Sequence, residues 1–501
     1  MEPATHRPTP PAGLPRAVVF LLLAGALGYA VFLARFSASF AGGSDSSGYF
    51  NSARLLGAGL FHAPLRMPAG HPHPEFGLMA FQPLGFIADK NAPRMAPTYP
   101  IGLPLHLLAA SWVAGWRHAS TVVNILAALG TGALLWHLAR RLQLSPGWAA
   151  AAVAWLWLCP LALFAALQPM SDHLALLWSL AALAAALRSG EHWRWSVLAG
   201  VAVSLAVLVR PTNVLLALPL VVALGWNYRG YLGLILGGLP GGIFFCYYNW
   251  RVYGGPLATG YGEVWSAFSA SYASPNLAHF ARWIPRLLTP FVGAALAVPF
   301  VRAARRRDFA VLGLWAVLLI GFYAFYYHSG ETWWYLRFIL PAFPVLILAA
   351  LLVAQAGLAR PGAPRWARAG LLVLLALGAG WQLRLARQLE VFDIAPGQAH
   401  YLEAANWAKE HLPPDSAVFC MQVSGALHFY TDLMVVRWDQ VTPGRLPDLL
   451  AALAEEKRPV YAALYEFETP DAQSRMSGRW VRLTTVGETT FWRLADAPPK
   501  G

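Results

Sequence analysis

The sequence is poor in charged residues and in cysteine. Only 12% of its 501 residues are charged, about half of the roughly 25% that is usual in soluble domains, and this excludes an ordinary soluble globular protein. The three cysteines, Cys159, Cys246 and Cys420, lie far apart and offer neither metal-binding spacing nor a disulfide framework. The sequence also lacks a G-x-G-x-x-G fingerprint and a P-loop, so no motif indicates a nucleotide site.

Long apolar runs are abundant instead. Hydrophobic residues make up 57% of the chain, and the mean hydropathy is +0.47. A helix needs about 20 apolar residues to cross the hydrocarbon core of a bilayer, and repeated runs of about that length predict a polytopic α-helical membrane protein. The runs do not alternate apolar and polar residues as the strands of an outer-membrane barrel do.

The basic residues behind the net charge of +13 are almost all arginine. In a nucleic-acid-binding protein such cations gather on one polar face. Here they lie in short loops between apolar runs, as expected of loops on the cytoplasmic side of a membrane. The basic composition therefore indicates membrane lipids, and not nucleic acid, as partners.

We predict eleven transmembrane helices, with the N-terminus in the cytoplasm and the C-terminus outside. Their approximate bounds are 17–36, 119–139, 147–166, 172–188, 194–209, 211–227, 230–249, 285–301, 308–327, 337–356 and 367–386. A further apolar run, 99–116, is interpreted as an interfacial or re-entrant helix. Counting it as a crossing would move the arginine clusters at 140–141, 302–307 and 360–368 outside, against the cytoplasmic excess of positive charge.

These spans divide the chain into three parts. A cytoplasmic N-terminus, 1–16, precedes a transmembrane domain, 17–386, and a small soluble α/β domain, 387–501, which we place in the periplasm. Two large periplasmic loops are expected, at 37–118 with interfacial helices and at 250–284. Apolar periodicity in the soluble domain predicts helices at YLEAANWAKEHL and GRLPDLLAALAEEKR and strands at SAVFCMQV and RPVYAALYEF. Its role as a lid, an acceptor dock or a scaffold stays open.

The polar residues of the transmembrane domain fall at one level, the predicted outer rim. A transporter is expected to carry ionisable residues or broken helices near the bilayer midplane, and this chain has few there. Carboxylates and guanidinium groups at the rim favour chemistry on an anionic lipid headgroup. The residues concerned are Asp45, Asp172, His173, Arg210, Arg251, Glu331, Tyr335 and Arg337.

Six short motifs follow one another along the chain. They are SDSSGY in the first outer loop, YPIGLPLHLL before the second span, PMSD at the fourth span, WRWSVLAGVAVSLAVLVRP, YNWRVYGGPLATGYG and YLRFILPAFPVLILAA. Their order resembles the GT-C superfamily of membrane glycosyltransferases, in its protein-mannosyltransferase and aminoarabinose-transferase-like branch. The resemblance implies transfer of a sugar from a polyprenyl-phosphate donor to a glycan, lipid or protein acceptor. The reaction would take place at the periplasmic face of the bacterial inner membrane, with inversion at the anomeric carbon.

The chemistry of such a transfer suits the residues at the rim. Asp45 is the candidate general base, which takes the proton of the acceptor hydroxyl, and Asp172 matches the second essential acid of the family. Arg337 and Arg210 are the candidate phosphate clamp, because a planar guanidinium binds phosphate in bidentate fashion. Further candidates for contact with the lipid phosphate are Arg54, Tyr335 and Glu331.

Each assignment has a simpler alternative. Asp45 and Asp172 would serve equally as caps of the helices that follow them, and arginines at span ends commonly extend to the bilayer surface. For the whole chain, the alternatives to an enzyme are a flippase or transporter of lipid-linked sugars and a non-catalytic scaffold of the cell envelope.

No cofactor is required for this chemistry, but a divalent metal stays open. Two carboxylates and waters suit Mg²⁺, which would lie between Asp45 and Asp172 with His173 as a further ligand. The neighbours of Asp45 are serines where the family often has a second acid, and this weakens the case for a metal.

A histidine-rich stretch of the first loop, HAPLRMPAGHPHPEF, is a separate candidate for zinc. Its proline-rich character favours an acceptor-binding segment instead. The candidate ligands are His62, His71, His73 and Glu75.

Overall fold

The computed structural model describes residues 16–69, 77–89, 92–359, 364–476 and 478–495, and helices dominate these ranges. The α-helices are α1 (Arg16–Phe36), α2 (Ser44–Gly57), α3 (Gly102–Ala114), α4 (Ala119–Arg141), α5 (Pro146–Leu158), α6 (Pro160–Ala166), α7 (Asp172–Ala186), α8 (Trp193–Val209), α9 (Ala217–Leu224), α10 (Tyr228–Tyr253), α11 (Ala273–Leu287), α12 (Arg307–Ala324), α13 (Phe343–Leu358), α14 (Arg365–Gln388), α15 (Ile394–His411), α16 (Ser424–Tyr430), α17 (Leu446–Glu455) and α18 (Thr469–Arg475). The strands are β1 (Ala63–Pro64), β2 (Phe86–Ala88), β3 (Arg94–Pro97), β4 (Ala417–Phe419), β5 (Met434–Val436), β6 (Val460–Tyr465), β7 (Trp480–Val486) and β8 (Thr489–Leu494).

Within the described residues, six helices are long and apolar enough to cross a membrane. They confirm that the chain is a multi-pass helical membrane protein. Each coincides with a predicted span. The six are Arg16–Phe36, Ala119–Arg141, Tyr228–Tyr253, Arg307–Ala324, Trp333–Leu358 and Ala369–Gln388.

Four of the other predicted spans are helical but short or bent. The span 147–166 is formed by α5 and α6, which meet at 65°, because the residue before Pro160 is disfavoured from helical geometry. The spans 172–188, 194–209 and 211–227 correspond to apolar helices of 10–17 residues. The count of eleven crossings therefore stays a prediction.

The predicted span 285–301 is wrong as a single straight helix. Helix α11 already begins at Ala273, and the segment Ala270–Leu287 meets the 3₁₀ helix Pro290–Phe300 at 108°. Between them Thr289 has a φ of +60°, which a β-branched residue rarely adopts, and Pro290 follows it. The apolar run continued through this break, so the hydropathy pattern did not reveal it.

The run 99–116 contains α3, a helix of 13 residues. At 1.5 Å per residue it is about 20 Å long, shorter than the roughly 30 Å of a hydrocarbon core. The length agrees with an interfacial or re-entrant helix, and that placement stays a prediction.

Several helix ends meet at one charged cluster. The Arg141 guanidinium at the end of α4 binds the Asp308 carboxylate at the start of α12, with Nε 2.7 Å from Oδ2. It also binds Glu191, just before α8, with Nη1 3.0 Å from Oε1. These are the ends that the predicted threading places together in the cytoplasm. The opposite ends of α7, α8 and α12 meet at a cavity, so α7 runs antiparallel to α8 and α12. The full threading stays a prediction.

The C-terminal part of the chain is a small α/β domain, as the sequence predicts. Its five-stranded sheet has the order β5-β4-β6-β8-β7. Strands β5, β4 and β6 are parallel, and β8 and β7 add an antiparallel hairpin that the sequence patterns did not predict. The predicted helices are α15 and α17, and the predicted strands are β4 and β6.

The first loop is not independent of this soluble domain. It forms a three-stranded sheet of order β1-β3-β2, whose Phe86 and Met95 share one hydrophobic core with Phe419 and Leu449 of the soluble domain. The backbone amide of Arg437 also donates to the Ala80 carbonyl, at 2.6 Å. This shared core joins the soluble domain to the segment that carries Asp45.

Candidate functional site

A cavity of about 450 Å³ opens where seven segments meet. The segments are the start of α2, the residues before α3, the loop before α7, the end of α8, the loop after α10, the end of α12 with the residues that follow it, and the 3₁₀ helix Trp333–Ala342. Its charged and aromatic lining residues are Asp45, Tyr49, Tyr99, Asp172, Arg210, Tyr261, Glu263, Phe268, Tyr323, Tyr326, His328, Tyr335, Arg337 and Phe338. Five of the predicted site residues thus line one space.

Asp45 forms an ion pair with Arg337 at this cavity. Arg337 Nη2 donates to Asp45 Oδ2 at 3.1 Å. Helix α2 begins at Ser44, its N-cap residue is Gly43, and no side chain caps it. The capping role considered for Asp45 is therefore wrong, because its carboxylate belongs to the first turn and faces the cavity. A carboxylate in that turn is also favoured by the helix dipole.

Asp172 forms the second ion pair, with Arg210. Arg210 Nη2 lies 2.5 Å from Asp172 Oδ1, and the Asp172 side chain is only 2% exposed. Asp172 is the first residue of α7 and caps nothing. Arg210 follows α8, which stops there because Pro211 cannot continue the helix. A buried carboxylate of this kind requires its cation.

The two ion pairs are adjacent. Arg210 Nη1 donates to the backbone carbonyl of Arg337 at 3.4 Å. The Phe338 ring is near both guanidinium groups, with its centroid 5.2 Å from the Arg210 Cζ and 5.4 Å from the Arg337 Cζ. Arg337 also donates to the Met170 sulfur at 2.9 Å, a weak acceptor. The guanidinium thus has capacity for an anionic ligand that would bind better than sulfur does.

A tyrosine hydroxyl holds the serine before each acid. Tyr99 and Ser44 are joined by a 2.7 Å hydrogen bond between their hydroxyls, and Tyr49 donates to Ser171 at 3.1 Å. Burial, together with the nearby Asp45 carboxylate, raises the pKa of both tyrosines above the ordinary value. Both therefore stay protonated at neutral pH and provide fixed hydroxyls beside the two carboxylates.

Not every predicted residue lies at the cavity. Arg54 is on α2 but points to the soluble domain, where its Nη1 donates to the Phe429 carbonyl at 2.5 Å. Glu331 does not line the cavity, and its carboxylate accepts from His328 Nδ1 at 2.8 Å. His173 is fully buried and is not among the lining residues. The structure thus keeps Asp45, Asp172, Arg210, Tyr335 and Arg337 together and separates the other three.

The donor set does not suit a metal in this arrangement. Asp45 and Asp172 each already bind an arginine, whose charge opposes a bound cation. Among the described residues no three histidine, cysteine or acidic side chains are grouped to hold a metal. The candidate zinc ligands His71, His73 and Glu75 lie outside the described residues.

Several lining residues were missed by the sequence analysis. Tyr49 lies four positions after Asp45 and hence on the same face of α2, a signal that was present in the sequence. Tyr99 begins the YPIGLPLHLL motif, and Phe338 follows Arg337 directly. Tyr323, in the last turn of α12, and Tyr326, two residues after that helix, had no local signal, because only tertiary packing brings them to the cavity.

No protein-family model and no curated protein matches the chain. Several solved structures are similar to the chain. ArnT from Cupriavidus metallidurans bound to undecaprenyl phosphate matches with a TM-score of 0.65 and 16% identity, over 97% of this chain and 100% of ArnT. The apo state of the same protein gives a TM-score of 0.64, over 95% and 98%. The chain has a GT-C fold.

The structure of a second GT-C protein is also similar to this chain. The arabinofuranosyltransferase AftD from Mycobacteria matches with a TM-score of 0.54 and 13% identity, over 97% of this chain and 40% of AftD. The GT-C fold expected from the motif order is therefore confirmed. Identities of 13–16% establish the fold alone, so the activity has to be argued from the cavity.

Proposed function

We propose that the protein transfers a sugar from a polyprenyl-phosphate-linked donor to an acceptor hydroxyl, with inversion at the anomeric carbon. The observation that carries the proposal is the pair of adjacent ion pairs, Asp45 with Arg337 and Asp172 with Arg210, in one cavity of a GT-C fold. The similar ArnT structure contains bound undecaprenyl phosphate, which supports a polyprenyl phosphate as the carrier here.

The lipid phosphate binds to the two arginines. A phosphate oxygen takes the place of the Met170 sulfur on Arg337 and competes with the Asp45 carboxylate for the same guanidinium. Charge-assisted hydrogen bonds of this type are shorter and roughly twice as strong as neutral ones. Arg210 stays with Asp172, which is too buried to lose its partner, and presents its remaining N–H groups to the phosphate.

Asp45 is the general base. When the phosphate binds Arg337, the Asp45 carboxylate is released to accept the proton of the acceptor hydroxyl as the hydroxyl oxygen attacks C1 of the sugar. The C1–O bond to phosphate breaks, and its electron pair leaves with the polyprenyl phosphate. This leaving group needs no proton, because the arginines balance its charge. The aromatic lining packs against the apolar faces of the sugar and the first isoprene units.

The site would face the periplasm of a bacterial inner membrane. The first loop and the soluble domain lie on the side of the cavity, and the arginine-rich helix ends lie on the other side, as the positive-inside rule requires for this orientation. Membrane lipids surround the exposed apolar faces of α1, α10 and α14.

Release of undecaprenyl phosphate tests the proposal even while the acceptor is unidentified. Purified protein in proteoliposomes is given a panel of undecaprenyl-phosphate-linked sugars with cell-envelope glycan extract, and the freed lipid phosphate is measured. We expect release with at least one donor, its loss in Asp45→Asn, and full activity in Asp448→Asn, an exposed acid of α17. Transport of a donor across the vesicle without release would instead identify a flippase.

A further inference from the structure

The soluble domain holds the helix that carries Asp45. Its helix α16 lies against α2, where Asn51 Nδ2 donates to the Gly425 carbonyl at 3.0 Å. Next to this contact the Leu84 amide donates to the Ser424 hydroxyl, also at 3.0 Å. The Ala41 amide, just before α2, donates to the Tyr430 hydroxyl at 3.0 Å. One short helix thus binds α2, the segment before it and the loop after it.

The closest approach is between Gly425 and Ser47. A Cβ atom on Gly425 would lie 2.8 Å from the Ser47 Cβ, still closer to the Ser47 hydroxyl, and 3.0 Å from the Leu84 carbonyl. Any side chain larger than hydrogen would therefore push α16 away from α2. Ser47 is two residues after Asp45, so the displacement would occur within the turn that carries the proposed base.

Two arginines of the first loop secure the other end of α16. Arg54 donates to the Phe429 carbonyl, and its Cζ lies 3.5 Å from the centre of the Phe429 ring. Arg66 donates to the carbonyls of Thr431 and Leu433, at 2.9 and 3.1 Å. The last carbonyls of a helix have no partner within the helix, and Arg54 satisfies that of Phe429, whereas Arg66 binds the chain directly after the helix. The phosphate role considered for Arg54 is thus replaced by a structural one.

We propose that the soluble domain positions the catalytic base. Gly425 and Ser47 act as positioning residues. Their contact sets the distance between α16 and the first turn of α2, and it thereby fixes the position of Asp45 relative to Arg337. The opposite face of α2 is fixed through the hydrogen bond from Tyr49 to Ser171. This assigns the domain a part in catalysis, and it rests on the proposed transferase function.

The proposal requires that a small displacement of Asp45 lowers the rate of the chemical step. A general base has to lie within hydrogen-bond distance of the proton that it removes, and a misplacement of about 1 Å can cost a factor of about 100 in rate. Arg210 and Arg337 come from other segments, after α8 and before α13. A shift of α2 should therefore reduce the chemical step while donor binding persists.

The test is a size exchange across the contact. Gly425→Ala should lower kcat for release of undecaprenyl phosphate about tenfold or more, with no rise in KM for the lipid-linked donor, because a displaced Asp45 does not compete more strongly for Arg337. The double variant Ser47→Gly/Gly425→Ala removes the side chain on α2 that the new methyl group on α16 would meet. It should therefore recover most of kcat. Gly444→Ala is the matched control, because a Cβ there meets open space.

Two kinetic results would overturn the proposal. One is wild-type kcat in Gly425→Ala. The other is a loss of kcat that the double variant does not reverse, since it would reflect general damage and not the position of α2. A rise in KM equal to the loss in kcat counts against it in the same way, because donor binding would then depend on the contact.

A second measurement separates this inference from the proposed function. Hydrogen–deuterium exchange of the amides of residues 44–53 should be faster in Gly425→Ala than in the wild type, with exchange in α4 unchanged. If the wild-type protein shows no transfer with any donor, the proposed function fails, and the exchange data alone decide whether the soluble domain immobilises α2. Equal exchange in both proteins would refute the positioning role.

Discussion

The Arg337 guanidinium binds the Asp45 carboxylate at 3.1 Å, although 292 residues separate the two in the sequence. This ion pair joins the first turn of α2 to the 3₁₀ helix that precedes α13. It also means that the proposed base and the proposed phosphate ligand are partners before the donor binds. In the proposed mechanism, donor binding and activation of the base are therefore coupled, because the phosphate and Asp45 would compete for one cation.

Asp45→Asn should abolish most of the transfer activity. An amide has nearly the shape of the carboxylate but cannot take up a proton, and general base catalysis contributes a factor of about 10² to 10⁴. We expect kcat to fall by that order while the donor still binds. The measurement is single-turnover release of undecaprenyl phosphate together with donor affinity. A variant with wild-type kcat would remove Asp45 from the mechanism.

Arg337→Lys should weaken donor binding more than its conserved charge suggests. Lysine cannot reproduce the planar fork that reaches both Asp45 and a phosphate, and a hydrogen bond to a charged group contributes about 1.5–3 kcal/mol. The expected result is a rise of roughly tenfold to hundredfold in the Kd of undecaprenyl phosphate. Arg445→Lys, a change at an exposed arginine of the soluble domain that does not line the cavity, is the control and should bind as the wild type does.

The sequence predicted which charged residues belong to this site, but it did not predict which of them form ion pairs with each other. Apolar run length and the charges at span ends are local signals, and they placed Asp45, Asp172, Arg210 and Arg337 at one level. The pairing of Asp45 with Arg337 depends on tertiary contacts that no local pattern encodes. For the same reason the break at Thr289 was missed, since both of its flanks are apolar.

In the soluble domain, too, the local structure was predicted and the contacts with the rest of the chain were not. Amphipathic periodicity predicted α15 and α17, and β-branched and aromatic residues predicted β4 and β6. The small sheet of the first loop and its shared core with the soluble domain were not predicted, because strands of two to four residues carry too few alternations to be recognised. The partner of Arg54 was not predicted either, because Phe429 lies 375 residues further along the chain.

Removing Arg210 should destabilise the protein more than removing both members of its ion pair. Arg210→Ala leaves the Asp172 carboxylate, 2% exposed, without a cation, and breaking a buried pair in this way costs about 3–5 kcal/mol. In Arg210→Ala/Asp172→Asn no charge is left unpaired. The thermal midpoint in detergent should therefore be higher for the double variant than for Arg210→Ala. A lower thermal midpoint for the double variant than for Arg210→Ala would show that the Asp172 carboxylate does not need Arg210 as its cation.

Acid should loosen the contact between the soluble domain and the first loop. Burial, with Arg66 and Arg54 nearby, lowers the pKa of His428 to about 3, whereas an unfolded histidine has a pKa of about 6.5. Between these values the unfolded chain binds more protons than the folded one, so the free energy of unfolding decreases as the pH falls below about 6.5.

The thermal midpoint measured from pH 7 to pH 5 checks this. The midpoint of the wild type should fall more steeply than that of His428→Gln, which has no proton to gain. His411→Gln, a change at an exposed histidine of the same domain, should follow the wild-type curve. Parallel curves for the wild type and His428→Gln would show that His428 is not the group responsible.

The central claim is that the two ion pairs bind the phosphate of a polyprenyl-phosphate donor, and a cryo-electron microscopy structure of the protein in nanodiscs with undecaprenyl phosphate tests it most directly. The account predicts phosphate density in the cavity, within hydrogen-bond distance of Arg337 and Arg210, with the Asp45 carboxylate released from Arg337. Phosphate density outside this cavity, with both ion pairs intact, would contradict it.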